Sequence, residues 1–196
     1  GLTNREITIS DVIFKIGPRI NASGRMQSGI EAVDLLTTKD LKEATAKCKS
    51  IDQYNRDRKE LDKRITEEAN TILADRGEID SNHKTIVIYN KNWHKGIIGI
   101  VASRLTELYY KPAVVLTLSN GLATGSSRSV QGYDIYSAIE SARDLLENFG
   151  GHTYAVGLSL KEENIPAFTR RFEEYVARTI KPNQMMPQID IDTYLK

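Results

Sequence analysis

A chain of 196 residues with 40% hydrophobic and 27% charged side chains has the make-up of a soluble globular protein, one medium domain or one domain plus an appended element. A net charge of +1 excludes a uniformly basic coat for duplex nucleic acid, so any polyanion site has to be a local patch. Cys48 is the single cysteine, which excludes an internal disulfide, and no apolar run nears the roughly 20 residues that span a bilayer. With no signal-like N-terminus, the expected compartment is the cytoplasm.

Residues 1–29 carry Gly17, Pro18, Gly24 and Gly29 and read as a loop-rich leading segment. From Ile30 to Arg76 there is neither glycine nor proline, and Ile51, Tyr54, Arg58, Leu61, Ile65, Ala69 and Ile72 recur at spacings of three and four, one face of a helix. Thr38 is the expected N-cap and Gly77 the stop. At 1.5 Å per residue such a helix is on the order of 55 Å long, the dimension of a strut between lobes. Beyond Glu78–Lys84, short apolar runs alternate with helical periodicity. Strands are expected at Thr85–Tyr89, Ala113–Leu118, Leu122–Arg128 and Tyr154–Leu160. Helices are expected at Ile97–Tyr110, from an Asp134 cap to about Phe149 with Gly150-Gly151 as terminator, and from an Asn164 cap to about Arg178. This alternation predicts a layered α/β domain. The tail from Lys181, with Gln188-Ile-Asp-Ile-Asp192, reads as the approach to another domain.

Three segments concentrate residues that grip phosphate. Gly17-Pro-Arg-Ile-Asn-Ala-Ser-Gly-Arg25 sets two arginines and Asn21 between glycines, where guanidinium groups can contact phosphate bidentately or pair with carboxylates elsewhere. Gly125-Ser-Ser-Arg-Ser-Val-Gln-Gly132 offers hydroxyls, Arg128 and the start of the Asp134 helix, with no acidic residue between Lys111 and Tyr133; it is a phosphate cradle or a serine-capped turn. Phe149-Gly-Gly-His152, with Trp93-His94-Lys95-Gly96 as companion, puts an imidazole on bare backbone, either to meet a ligand or to cap a helix. His83 sits in a polar loop and takes no role. Three histidines at 83, 94 and 152 do not supply the ligands of a two-metal hydrolytic site, and no P-loop, GxSxG elbow or paired CxxC is present.

In this order, Pro18-Arg-Ile-Asn-Ala-Ser-Gly-Arg-Met26, Asn55-Arg-Asp-Arg-Lys59, Trp93-His-Lys-Gly-Ile-Ile-Gly-Ile-Val-Ala-Ser-Arg104, Gly125-Ser-Ser-Arg-Ser129 and Phe149-Gly-Gly-His-Thr-Tyr-Ala-Val-Gly157 resemble the RecJ branch of the DHH phosphoesterase superfamily. The resemblance implies an α/β fold in which a long connecting helix leads into a DHH-associated domain with a central mixed sheet. It assigns residues 1–29 to a segment leaving the catalytic domain, 30–82 to the connector, 83–180 to the substrate-binding DHH-associated domain and 181–196 to a tail towards an OB-like domain. It implies 5′-to-3′ hydrolysis of single-stranded DNA in recombination and repair. Manganese or magnesium would be held by a catalytic domain ahead of this stretch, and no metal or catalytic residue is expected within it. By resemblance, Ser126, Arg128 and Ser129 hold the strand's backbone, and Gly150, Gly151 and His152 help position the scissile phosphate, with His152 as a candidate assisting residue. Asn21 and Arg25 contact substrate or latch domains, and His94 contacts substrate or supports the fold. Ser127 stands where the family commonly has glycine, and Val156 where it has alanine. Two other readings are an accessory domain of a DHH-family oligonucleotide or cyclic-dinucleotide phosphodiesterase, and a free-standing nucleic-acid-binding module. No membrane partner is expected.

Overall fold

A computed structural model describes residues 6–79, 82–187 and 193; the expected approach to a further domain at residues 188–192 lies outside them. The chain divides into two compact units at Arg64/Ile65.

The first unit is helical. Thr8 and Asp11 form a reciprocal capping box at the start of α1 (Ile9–Asp11), and a wider turn (Val12–Ile16) carries the chain into α2 (Gly17–Met26). The expected loop at Gly17–Arg25 is therefore a helix. Pro18 sits in its first turn, where a missing N–H costs nothing. Gly24 lies inside this helix rather than at a turn, and a Cβ there would make only an ordinary contact, 3.9 Å from Gly29 Cα. After α3 (Ile30–Thr37), Thr38 is extended and ends that helix; Asp40 caps the next one, its carboxylate accepting from the amides of Lys42 (2.7 Å) and Glu43 (3.1 Å). The 35-residue α4 (Leu41–Asp75) then runs unbroken to the expected stop, where Gly77 at φ +65° takes the left-handed conformation. Asn55 and Asp62 of α4 are buried, and Asp62 pairs with Arg58 at 3.8 Å.

The second unit is the predicted layered α/β domain. It comprises β1 (Ile86–Tyr89), α5 (Ile98–Tyr109), β2 (Ala113–Ser119), β3 (Leu122–Arg128), α6 (Ile135–Glu140), β4 (Leu146–His152), β5 (Ala155–Leu160) and α7 (Ile165–Thr179). The sheet order is β1-β2-β3-β5-β4, with β1 parallel to β2 and every other pair antiparallel, so the sheet is mixed. The parallel pair needs a crossover, which α5 supplies. The β2–β3 hairpin closes on Asn120 (φ +52°) and Gly121 (φ +76°), the residue types that two-residue hairpin turns demand. One face packs Val114, Leu116, Ala123, Leu158 and Leu160 against Ile135, Ile139 and the stacked Phe168 and Phe172. The other face is covered by α5 over β2 and β3. The last turns of α4 join this unit through Trp93 Nε1 donating to Glu68 (2.8 Å) and Tyr109 Oη donating to Asn70 (3.0 Å).

Two further expectations change. The Asp134 helix ends at Glu140, not near Phe149, and Gly150-Gly151 lies inside β4 rather than at a helix end. Ala138, Ala142, Leu145 and Phe149 do follow helical spacing, but pairing with β5 overrides that local signal. Asn164 does not cap α7 with its side chain; its amide donates to Leu145 O (3.1 Å) and ties the helix start to the turn before β4.

Candidate nucleic-acid interface

Side chains of β3 alternate strictly. Ala123, Gly125 and Ser127 are buried, while Leu122, Thr124, Ser126 and Arg128 face the other way and are half-buried. Ser126 therefore shares a face with Arg128, whose Nη1 donates to Ser126 Oγ (2.9 Å) and Ser127 O (2.7 Å). Because Ser126 Oγ accepts here, its own proton remains available to a ligand. The start of α5 abuts this pair: a Cβ on Gly99 would stand 3.1 Å from Ser126 Oγ and 3.3 Å from Arg128 Nη2. No side chain caps that helix start, so its positive end lies beside a guanidinium.

Strand pairing lines up the rest. Ser126 pairs with Gly157, and Gly157 with Gly150, so one hydroxyl and two bare glycines form a row across β3, β5 and β4. The next row towards the hairpin holds Thr124, Ser159 and Asn148. A Cβ added at Gly150 would have nothing within 4 Å, and one at Gly157 would meet only carbonyl oxygens at 3.9–4.0 Å, so packing does not require glycine at either. What their bareness provides is room above the sheet. Gly151 is the reverse case, since a Cβ there would meet Ala155 O at 2.2 Å and Val156 Cα at 2.7 Å; its glycine is structural.

His152 ends β4, exposed, with Nδ1 accepting from Tyr154 N (3.3 Å); His94, half-buried before α5, accepts in the same way from Gly96 N (3.1 Å). Each neutral imidazole thus carries its proton on Nε2, the form that donates to a phosphate oxygen. Ser129 has another task. Its hydroxyl donates to Tyr133 O (2.6 Å) and its amide to Tyr154 O (3.0 Å), so it holds the turn after β3 together. The α6 start is occupied by its own cap, Asp134 accepting from Tyr136 N and Ser137 N, which removes it as the anion site the sequence suggested. Asn21 and Arg25 lie in the first unit, exposed and one turn apart on α2.

The two departures from the family pattern touch each other. Ser127 Oγ, fully buried, donates to Val156 O and accepts from Val156 N, both at 3.0 Å, and so continues the β3–β5 ladder through a side chain. Residues that sequence reasoning left unassigned are Lys95, Thr124, Asn148, Gly157 and Ser159, which line a groove of about 450 Å³ with Gly150. For Thr124, the period of two from Ser126 was a usable signal; for Asn148 and Ser159 only the register reveals it. Among the described residues, no group of three or more His, Cys, Asp or Glu side chains is arranged to hold a metal ion, and no helix is long and apolar enough to cross a membrane.

Residues 82–178 match the DHHA1 domain family. The chain is 35% identical over 181 residues, 91% of its length, to the single-stranded-DNA-specific exonuclease RecJ of Bacillus subtilis, covering 23% of that protein. It is 34% identical to the Salmonella typhimurium RecJ over 96% of the chain and 34% of the relative. Among solved structures it resembles Thermus thermophilus RecJ in complex with Mn2+, with a TM-score of 0.76 at 35% identity over 88% of this chain and 25% of that one. The chain thus spans about a quarter to a third of the curated relatives it matches.

Proposed function

Because this chain belongs to the RecJ branch of the DHH phosphoesterase superfamily and carries its DHHA1 domain at residues 82–178, we propose that it is the strand-holding lobe of a single-stranded-DNA-specific exonuclease acting in recombination and repair. The observation that carries this reading is the Ser126–Arg128 pair beside the uncapped start of α5, opening onto the bare backbone of Gly157 and Gly150. A guanidinium, a hydroxyl proton and a helix N-terminus converge where no side chain blocks a phosphodiester. The Nε2–H of His152, two residues beyond Gly150 along β4, supplies a further donor. His94 supports the approach to α5, and Asn21 and Arg25 serve as further polar contacts or as a latch. Likeness to RecJ proteins over most of the chain supports this reading over an oligonucleotide or cyclic-dinucleotide phosphodiesterase. The proposed substrate puts the protein in the compartment that holds the chromosome, the cytoplasm.

Solved RecJ structures contain Mn2+ or Mg2+. In this reading the chain's part in the reaction is to bind and orient the strand, while hydrolysis belongs to the metal-bearing part of the whole enzyme. Two measurements test the proposal. Arg128→Ala in the full-length enzyme should weaken single-strand affinity about tenfold and reduce the salt slope by roughly one, as expected for one lost phosphate contact. The 196-residue chain alone, given single-stranded DNA and Mn2+, should release no nucleotide. Unchanged affinity in the variant, or robust release by a contaminant-free chain, overturns the reading.

A further inference from the structure

The Ser126–Gly157–Gly150 row uses only one end of the open sheet face. Two residues further along the strands, about 6.6 Å away, lies the parallel row Thr124–Ser159–Asn148. Lys95, from the turn before α5, stands on the same groove. The groove's lining contains no acidic side chain. The side chains of Thr124, Ser159, Asn148 and Lys95 make no hydrogen bond or ion pair among the described residues, although Thr124 and Ser159 are half-buried. Neutral polar side chains facing one groove, on strands that fix their spacing, suit a ligand that both donates and accepts hydrogen bonds. Asn148 and the two hydroxyls donate and accept, which suits a sugar or a base edge, and Lys95 adds a cation suited to a phosphate.

Resting on the strand-holding reading above, we infer that this second row is a subsite for the neighbouring nucleotide of the same strand. The spacing of the two rows follows from the sheet itself and is comparable with the step between successive nucleotides of an extended single strand. The first row grips one phosphodiester through Ser126 and Arg128. The second row reads the next nucleotide through neutral hydrogen bonds, with Lys95 at its rim, and thereby sets the minimum length of strand that is bound well.

The test uses the full-length enzyme and 5′-fluorescein-labelled oligo-dT of two to eight nucleotides, with anisotropy as the readout. In the double variant Asn148→Ala/Ser159→Ala, the loss of two to three hydrogen bonds should weaken binding of every oligonucleotide of two or more nucleotides about tenfold and leave competition by thymidine monophosphate, which reaches only the first row, unchanged. Ser159→Leu, which fills the groove, should give the same pattern of loss, and the melting temperature of either variant reports whether the fold is kept. Equal affinity of folded variants and parent at every length overturns the subsite while leaving the Ser126–Arg128 grip standing. A parent enzyme that binds no oligo-dT at all overturns the strand-holding reading itself.

Discussion

On the sheet face that looks away from Phe168 and Phe172, β2 carries Ala113, Val115 and Thr117, fully buried beneath α5, whereas β5 and β4 carry Gly157, Ser159, Asn148 and Gly150 with no such roof. One half of this face follows the rules of a core, apolar and closed. The other half breaks them. A glycine within a strand costs roughly 0.5–1 kcal/mol relative to alanine, and at Gly150 and Gly157 no neighbouring atom demands that cost. Packing does not account for these residues, whereas the strand-holding surface proposed above does, and on that proposal substitutions in the two halves should separate stability from binding.

The largest separation is expected from Leu105→Ala on α5. Leu105 is fully buried, and truncating such a side chain costs about 2–5 kcal/mol of unfolding free energy. Urea denaturation should register that loss, while the strand affinity of the folded protein stays that of the parent. Weakened binding at unchanged stability would break the division between the two halves.

A finer cut runs between adjacent glycines. Gly151→Ala forces a Cβ against backbone atoms of Ala155 and Val156 that cannot swing away, so a loss of about 1–3 kcal/mol is expected from this overpacking. Gly150→Ala, one residue earlier, meets nothing within 4 Å and should leave the melt within about 0.5 kcal/mol of the parent. Its added methyl group narrows the room above the sheet, so strand affinity should fall instead. Similar stability losses for both variants would mean that β4 is held by contacts other than those around Gly151.

How much of this was legible beforehand depends on the range of the interactions involved. β2, β3, α5 and α7 were readable because Val114, Val115, Phe168, Phe172 and their neighbours carry the period of their own element. The Gly17–Arg25 helix was not, because its glycines and proline read as loop chemistry, while the structure uses Pro18 as a first-turn residue and carries Gly24 within the helix. β4 was hidden by a local helical spacing that pairing with β5 overrides. At the site, Ser126 and Arg128 could be found from residue type alone. Asn148 and Ser159 could not, since only the cross-strand register, a contact between distant parts of the chain, brings them beside Thr124. Ser127 and Val156 stood out separately as departures, and only the fold shows that one hydroxyl bonds both backbone groups of the other.

The smallest effect expected concerns the closed side alone. Tyr133 is almost wholly buried within the Phe168–Phe172 cluster, with its hydroxyl 2.9 Å from Thr179 Oγ1. Burial pushes its phenol above the usual range because the phenolate would lose its hydration there. An acid whose pKa is raised on folding holds its proton more tightly in the folded state. Its stabilising contribution is therefore complete below the unfolded value, near pH 10, and is lost as pH rises through the folded one. Unfolding free energy should decline on the alkaline side, and Tyr133→Phe should make that decline shallower, although the variant forfeits the bond to Thr179 at neutral pH. Burial raises Tyr89 and Tyr109 as well, so some slope persists in the variant. Urea melts at pH 8 and above pH 10, run on both proteins, measure the difference directly. Identical slopes would show that the phenol reaches water before the domain unfolds, and the closed half of the molecule would then be less closed than its packing indicates.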